Sequence, residues 1–191
     1  MTDYKYKKFD FDNPSFGFVL EDKLKNILGG PLLYNPYYRS FNLKGHEKVL
    51  DFGCGGGTGS KCLIKLLNGN GHLTCIDVSS YWIKVANKRL KKFSNVDCKH
   101  GDIRKLNIPN SSFDVITIIH VIHDIEPSER QSTITALGKS LKKGGVIFIR
   151  EPIRKSHGMP VKEIRSLLSS AGLREAEHEI RKSEYIGKFA K

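Results

Sequence analysis

The sequence predicts one α/β domain in which a doubly wound, mostly parallel sheet of seven strands carries helices on both faces. Short apolar runs typical of buried strands alternate along the chain with amphipathic helical segments, which is the order that builds a parallel sheet. The run Phe113–Ile119 is apolar almost throughout, as expected of a strand buried on both faces. A chain of 191 residues suffices for one such domain. We expect residues 1–43 to form a helical and aromatic cap and residues 44–191 to form the domain itself.

The predicted elements follow this alternation along the chain. Strands are predicted at Lys48–Phe52, His72–Asp77, 96–99, Phe113–Ile119 and 146–151, with two closing strands within 173–191. Helices are predicted at 19–28, 60–67, 81–93 and 129–141, and a last helix begins at Pro160 and ends at Gly172. Gly29-Gly30-Pro31 should stop the first helix, and Lys142-Lys143-Gly144-Gly145 should turn into the fifth strand. Ser128 is predicted to cap the helix at 129–141.

The composition limits the partners and the compartment. A formal charge of +12 attracts nucleic acid at long range, but the lysines are scattered, so nucleic acid is an alternative partner rather than the leading one. No apolar run approaches the roughly 18 residues that span a bilayer, so no integral membrane association is expected. The first residues lack a secretory signal and the four cysteines lack metal-binding spacing, so we expect a reducing cytoplasm. Nothing in the sequence predicts an oligomeric state.

The segment after the first strand is dense in glycine. Asp51, Gly53, Gly55 and Gly57 follow a D-x-G-x-G-x-G spacing, and such glycines allow a sharp turn with positive φ and a close approach of a ligand to the backbone. A phosphate-binding P-loop would need Gly-Lys before Ser or Thr, which the sequence lacks. A dinucleotide fingerprint would need glycine where Thr58 stands. The spacing therefore disfavours an NAD-dependent oxidoreductase, which we keep as an alternative.

With this loop, the chain resembles the class I S-adenosylmethionine-dependent methyltransferases over residues 48–151. The acid at the end of the second strand, the Gly101-Asp102-Ile103 segment, the start of the fourth strand and the turn into the fifth match the family in order and spacing. The resemblance implies a Rossmann-like fold, S-adenosyl-L-methionine as cofactor and S-adenosyl-L-homocysteine as product. The implied cofactor-binding residues are Asp51, Gly53, Cys54, Gly55, Gly57, Asp77, Val78, Gly101, Asp102, Ile103, Ile119 and His120.

Three carboxylates have implied roles in binding the cofactor, and each has a structural alternative. Asp77 would accept the ribose hydroxyls, or it would only cap the next helix. Asp51 would accept from the methionine ammonium directly or through water, or it would hold the amides of the loop. Asp102 would face the adenine amino group, or it would only make a turn.

The acceptor side of the site is expected where the fourth strand ends. A methyl group on a sulfonium can be transferred by alignment and exclusion of water alone, and His120 could assist as a base. His123 and Asp124 resemble a turn without catalytic duty. A metal held by His120, His123 and Asp124 is a minor alternative, but because this set lacks a convincing third ligand no metal is expected. Tyr34, Tyr37 and Tyr38 are expected to cover the substrate, or else to form a hydrophobic packing patch.

Together these features predict an enzyme that transfers a methyl group from S-adenosylmethionine to a small-molecule acceptor. The pattern is most similar to the ubiquinone and menaquinone methyltransferase subgroup. An RNA or protein methyltransferase using the basic surface is the first alternative, followed by the oxidoreductase. A binding module without activity is the last, because a fold alone does not fix function.

Overall fold

The structure, a computed structural model, describes residue 4 and residues 6–191, and for Gly29 and Pro31 it describes the backbone alone. The part of the predicted cap that falls on residues 1–3 and 5 lies outside the described residues. The chain divides into two compact units. The N-terminal unit comprises residues 10–102, and the C-terminal unit comprises residues 103–191 with the described residues up to Phe9.

The N-terminal unit contains three parallel strands. They are β1 (Lys48–Phe52), β2 (His72–Asp77) and β3 (Val96–His100), hydrogen-bonded in the order β3-β2-β1. The helices are α1 (Phe16–Leu24), a π-helix (Lys25–Tyr34), α2 (Asn35–Arg39), α3 (Thr58–Leu63) with a 3-10 turn at Ile64–Leu66, and α4 (Ser80–Leu90). The register pairs Asp51 with Cys75 and Asp77 with His100. The carboxyl ends of parallel strands meet at one edge, which is where such sheets bind ligands.

The C-terminal unit contains a parallel pair and an antiparallel closing hairpin. Its strands are β4 (Phe113–Ile119), β5 (Leu141–Arg154), β6 (His157–Gly158), β7 (Arg174–Arg181) and β8 (Glu184–Ala190), and the main order is β4-β5-β8-β7. β4 and β5 are parallel, and β5, β8 and β7 pair antiparallel. The helices are a 3-10 turn (Ile122–Asp124), α5 (Pro127–Ser140) and α6 (Val161–Ser170). The short β6 turns back against the end of β5.

The predicted α/β class and its mostly parallel strands are confirmed. The strands Lys48–Phe52, His72–Asp77 and Phe113–Ile119 have the predicted bounds, and the two closing strands are present. These strands are predictable because their side chains are buried: Leu50, Ile76 and Ile116 have no exposed surface. Among the described residues, no helix is long and apolar enough to cross a membrane.

Two helix boundaries predicted from the sequence are wrong. The first helix does not stop at Gly29-Gly30-Pro31, because the chain continues as a π-helix to Tyr34. The wider π-turn accommodates a proline that an α-helical turn would exclude. Ser128 is not the N-cap of α5, because the helix begins one residue earlier at Pro127 with Glu126 in the capping position. Proline is favoured at the first helical position, where its missing N–H costs nothing.

The bounds of the fifth strand also differ from the prediction. The segment 142–145 is not a turn but part of β5, which runs from Leu141 to Arg154. Gly144 has a φ of +77°, and the register with β4 shifts between Phe113 and Val115. The glycine therefore absorbs an irregularity inside the strand instead of ending the pairing.

Candidate functional site

The glycine loop, residues 53–57, folds over the end of β2. The amides of Gly53 and Cys54 donate to the Ile76 carbonyl at 2.8 and 3.1 Å. Gly53, Gly55 and Gly57 all have positive φ, at +71°, +51° and +75°. A Cβ on Gly55 would meet no atom within 4 Å, whereas a Cβ on Gly57 would lie 3.2 Å from that of Ala86. The loop thus packs tightly against α4 at Gly57 and leaves an open face at Gly55.

Asp77, at the end of β2, joins the glycine loop to α4. One carboxylate oxygen accepts the Gly55 amide at 2.8 Å, and the other accepts the Ser79 amide at 2.9 Å. Burial raises the pKa of Asp77, and these two hydrogen bonds offset only part of the rise. Each carboxylate oxygen has two lone pairs, so both can accept a further hydroxyl. The carboxylate therefore fastens the loop and starts the helix while keeping the capacity to bind a diol.

Asp51 lies almost completely inside the N-terminal unit, with 4% of its surface exposed. Its carboxylate accepts the Ser60 hydroxyl at 2.6 Å, so its described partner is a neutral side chain of α3. Burial raises the pKa of Asp51 to about 6, and the charge of Asp77 adds to the rise. A cation placed beside this carboxylate would stabilise its ionised form.

An ion-paired clamp holds the glycine loop from the outer side. The Arg89 guanidinium of α4 lies 2.6 Å from the Asp22 carboxylate of α1, and it donates to the Gly56 carbonyl and the Thr58 hydroxyl at 2.6 Å each. This clamp is not evident from the sequence, because Arg89 is one of many basic residues on a solvated helix. The sequence does hold one indication of it: Arg89 comes three residues after Ala86, and residues three apart lie on the same face of a helix.

The expected cofactor-binding residues fall into both units. Nine belong to the N-terminal unit: Asp51, Gly53, Cys54, Gly55, Gly57, Asp77, Val78, Gly101 and Asp102. Val78 follows Asp77 and is 55% exposed, and the Gly101 amide donates to the Asp77 carbonyl at 2.9 Å. Ile103, Ile119 and His120 belong to the C-terminal unit, where Ile103 is buried and Ile119 half-buried. The structure therefore brings the glycine loop and the acid of β2 together, as the sequence predicted.

His120 follows β4 in a left-handed conformation, with a φ of +56°. Its Nε2 lies 2.7 Å from Oε1 of Glu184, and Oε2 of the same carboxylate accepts from the Arg150 guanidinium at 2.6 Å. Desolvation lowers the pKa of His120, although the Glu151 and Glu184 carboxylates oppose this shift. His120 is thus an oriented imidazole whose neutral form, which can accept a proton, is favoured.

A histidine–carboxylate cluster follows in the C-terminal unit, made of His123, Asp124, Glu151 and His157. Glu151 is fully buried, and one oxygen accepts the amides of Val121 and Ile122 at 2.8 Å each. Its other oxygen lies 2.6 Å from His123 Nδ1, and His123 Nε2 lies 3.1 Å from His157 Nε2. Burial alone would lower the pKa of His123, but Glu151 raises it; burial raises the pKa of Asp124 to about 6.

Two members of this cluster, Glu151 and His157, were not predicted from the sequence. The signal for Glu151 was a charged residue at the end of an apolar strand, where a buried carboxylate must have hydrogen-bond partners. His157 gave no signal, because it stands 34 residues after His123 and approaches it only through the turn into β6.

The three tyrosines expected to cover the substrate differ in burial. Tyr38 is only 1% exposed, and its ring packs against Tyr37 and Phe41 with centroids 5.7 and 5.4 Å apart. Its hydroxyl occupies the space beside Gly59, where a Cβ would approach to 2.5 Å. Tyr34, which stacks on Tyr38 at 6.3 Å, and Tyr37 are half-buried. Tyr38 is therefore a packing residue of the N-terminal unit in this conformation.

Parallel strands ending in a glycine loop and an acid define a Rossmann-like α/β protein. Comparison with known proteins confirms this class: a SAM-dependent methyltransferase from Aquifex aeolicus superposes with a TM-score of 0.73 at 22% identity, covering 95% of this chain and 98% of that chain. The methyltransferase domain family matches residues 49–145, just over half of the chain. The chain belongs to this family.

Two relatives differ in the acceptors that their names give. A demethylmenaquinone methyltransferase of Leptospira interrogans is 32% identical over 148 residues, which cover 74% of this chain and 55% of the relative. A tRNA N(3)-cytidine methyltransferase of Danio rerio is 28% identical over 141 residues, covering 69% of this chain and 39% of the relative. The chain therefore spans at most a little more than half of the length of these curated relatives.

Proposed function

We propose that the protein transfers the methyl group of S-adenosyl-L-methionine to a small-molecule acceptor and releases S-adenosyl-L-homocysteine. The observation that carries the proposal is the hydrogen bond from the Gly55 amide to the Asp77 carboxylate. It places a carboxylate that can bind the two hydroxyls of a ribose beside an open stretch of backbone. Membership of the methyltransferase domain family supports the same reaction.

The N-terminal unit offers groups that fit each part of this cofactor. Asp77 would accept the ribose hydroxyls, with hydrogen bonds of about 1.5–3 kcal/mol each. The exposed Val78 side chain next to it would contact the adenine ring, whose amino group would face Asp102. The buried Asp51, held by a neutral hydroxyl, would gain a cationic partner in the methionine ammonium, directly or through water. The Gly55 face would allow the ligand to reach the backbone.

The bound cofactor would supply a methyl group activated by its positive sulfur. The protein would contribute alignment of the acceptor and exclusion of water, which can account for much of the rate. As the acceptor takes the methyl group, its proton would pass to Nδ1 of His120, because the Glu184 carboxylate accepts from Nε2–H and leaves the lone pair of the neutral imidazole on Nδ1. Ile119 and Ile103 complete the proposed set of cofactor contacts. We propose that residues 1–43 cap the acceptor, with the half-buried Tyr34 and Tyr37 facing it and the buried Tyr38 packing behind them.

A small apolar acceptor is supported by the surface of the N-terminal unit. Among the described residues, eight large apolar side chains between positions 16 and 33 are exposed: Phe16, Phe18, Leu20, Leu24, Ile27, Leu28, Leu32 and Leu33. Exposed apolar surface of this extent is typical of sites that meet an apolar ligand or partner. The name of the Leptospira relative, a demethylmenaquinone methyltransferase, points to the same class of acceptor.

RNA is the second candidate acceptor. The formal charge of +12 favours a polyanion at long range, and the Danio rerio relative is named for methylation of tRNA. An RNA substrate would give a binding affinity that falls steeply with salt concentration, whereas a neutral quinol would not.

Free thiols support a cytoplasmic location for this activity. All four cysteines are free. Free cysteines are typical of proteins in a reducing compartment.

The proposal is tested in two steps. First, calorimetry with S-adenosyl-L-homocysteine should show saturable binding, while fluorescence titration with NADH should show none. Second, a donor labelled on its methyl group should transfer the label to a quinol or phenol in preference to tRNA, and His120→Ala should slow this transfer by a larger factor than it weakens S-adenosyl-L-homocysteine binding. Binding of NADH alone would overturn the proposal in favour of an oxidoreductase, and labelling of tRNA alone would replace the acceptor.

A further inference from the structure

We propose that His123, Asp124 and His157 form a binding site for a divalent first-row transition-metal ion, with Zn²⁺ as its reference ligand. The site lies wholly in the C-terminal unit, and the proposal does not depend on methyl transfer. It replaces the expectation from the sequence that the chain holds no metal, which rested on the lack of a third ligand. His157 is that ligand.

Three ligand atoms converge at distances that suit one ion. His123 Nε2 lies 3.1 Å from His157 Nε2 and 3.5 Å from Asp124 Oδ1, and His157 Nε2 lies 3.8 Å from the same oxygen. Bonds of about 2.0–2.1 Å in a tetrahedral arrangement place neighbouring ligand atoms about 3.3 Å apart. The observed separations bracket this value, so one ion could contact all three atoms with small side-chain movements.

Glu151 prepares His123 for this role. Because the carboxylate accepts from His123 Nδ1 at 2.6 Å, the lone pair of the neutral imidazole lies on Nε2, the atom that faces His157 and Asp124. A carboxylate behind a coordinating histidine is a recurrent feature of metal sites, where it fixes the tautomer and ring orientation. Glu151 is itself fixed by the amides of Val121 and Ile122, and it is fully buried.

Arg130 keeps the backbone of the site in place. Its guanidinium donates to the carbonyls of His123 and Ile125 at 2.9 and 3.0 Å, and it pairs with Glu163 at 2.7 Å. Arg130 of α5 therefore anchors the 3-10 turn that carries His123 and Asp124. Metal binding would need to order little of the chain.

A hydrogen bond between the two imidazoles is the competing explanation. With the lone pair on His123 Nε2, His157 would have to donate from its own Nε2, and this would account for the 3.1 Å distance. It would leave Asp124 Oδ1 at 3.5 and 3.8 Å, too far for a good hydrogen bond to either ring. A metal ion accounts for the approach of all three atoms.

The donor set selects the kind of metal. Two imidazoles and one carboxylate suit Zn²⁺ and its first-row neighbours, whereas Mg²⁺ and Ca²⁺ prefer oxygen ligands. Three protein ligands leave a coordination position for water or an oxygen of a small molecule, as in catalytic zinc sites. The His157 side chain is 49% exposed, which gives an ion access to the site.

The experiment is calorimetry of the metal-free full chain with Zn²⁺, together with absorption spectroscopy of Co²⁺ as a reporter of coordination geometry. We expect one ion per chain, a Co²⁺ spectrum typical of a four-coordinate site, and no competition by Mg²⁺. His157→Ala should weaken Zn²⁺ binding by at least the roughly 100-fold that even outer-shell substitutions can cost. Because His157 is exposed, this variant should keep its fold, as checked by circular dichroism.

The matched control is His178→Ala, which removes a histidine of similar exposure, 47%, that pairs with Glu175 away from the cluster. It should bind Zn²⁺ as the wild type does. The proposal is overturned if the wild type shows no saturable binding, or if His157→Ala and His178→Ala bind equally well.

Discussion

The glycine loop and the histidine–carboxylate cluster are organised in opposite ways. The glycine loop is formed by a contiguous stretch of chain, and the acid that holds it comes 22 residues after Gly55. The cluster collects side chains up to 34 residues apart, and its central carboxylate is fully buried. Beside the loop, the carboxylates of Asp77 and Asp51 accept from neutral amides and a hydroxyl, whereas in the cluster Glu151 binds an imidazole.

This difference has a physical consequence. Asp51 is buried with a neutral partner and burial raises its pKa to about 6, which supports the proposal that it receives a cation from outside the protein. Glu151 already has three donors, namely two amides and the His123 ring, and it serves to hold other groups in place. We therefore expect substitutions of the acids beside the loop to have their main effect on ligand binding, and substitutions of Glu151 to have their main effect on stability.

Glu151→Ala should have the largest effect on stability. The change leaves two buried amides and one imidazole without their acceptor, and we expect a loss of about 3–5 kcal/mol in the free energy of unfolding. Urea denaturation measures it. The control is Glu177→Ala on β7, which removes an exposed pair with Lys188 and should cost no more than about 1 kcal/mol. Equal losses in the two variants would show that Glu151 does not organise the cluster.

Asp51→Asn tests the electrostatics of the glycine loop. Because burial raises the pKa of Asp51 from 3.8 to about 6, its ionisation is less favourable in the folded than in the unfolded chain. Protonated Asp51 therefore makes its full contribution to the free energy of unfolding below a pH of about 4. This contribution is lost as the pH rises through about 6, and the free energy of unfolding falls by about 3 kcal/mol. The free energy of unfolding of the wild type, relative to Asp51→Asn, should fall by this amount over that range in urea titrations. A difference that does not vary with pH would contradict the assignment.

Asp22→Ala tests the clamp on the glycine loop. The pair with Arg89 is largely shielded from solvent, with side-chain exposures of 17% and 11%, so its loss should cost about 1–2 kcal/mol in thermal or urea unfolding. The neighbouring residue on α1 gives a matched control, because Glu21 forms an exposed pair with Lys25. Glu21→Ala should cost about 0.5 kcal/mol or less. If the two variants were equally stable, the clamp would have no structural role.

The sequence predicts much of the loop because local rules determine it. The spacing of Gly53, Gly55 and Gly57 predicts residues with positive φ. The apolar strand β1 leads into the loop, and the apolar strand β2 ends at Asp77. The same reasoning predicts the bounds of three strands, because an apolar run buried on both faces has clear ends.

The parts that the sequence does not predict depend on contacts between distant residues. The Asp22–Arg89 pair joins residues 67 positions apart, and nothing local distinguishes Arg89 from the solvated lysines of α4. His157 reaches His123 only because β6 turns back on β5. The π-helix through Pro31 was missed for a different reason: proline signals the end of an α-helix but does not exclude a wider turn.

The affinity of Asp77→Asn for S-adenosyl-L-homocysteine is the most direct test of the proposed cofactor site. Calorimetry should show binding to the wild type that weakens about 100-fold in this variant, because the hydrogen bonds of a charged acceptor to the ribose hydroxyls are lost. Asp114→Asn, which removes a partly exposed pair with Lys142 in the C-terminal unit, should bind as the wild type does. Unchanged affinity in Asp77→Asn, or no binding to the wild type, would contradict the account.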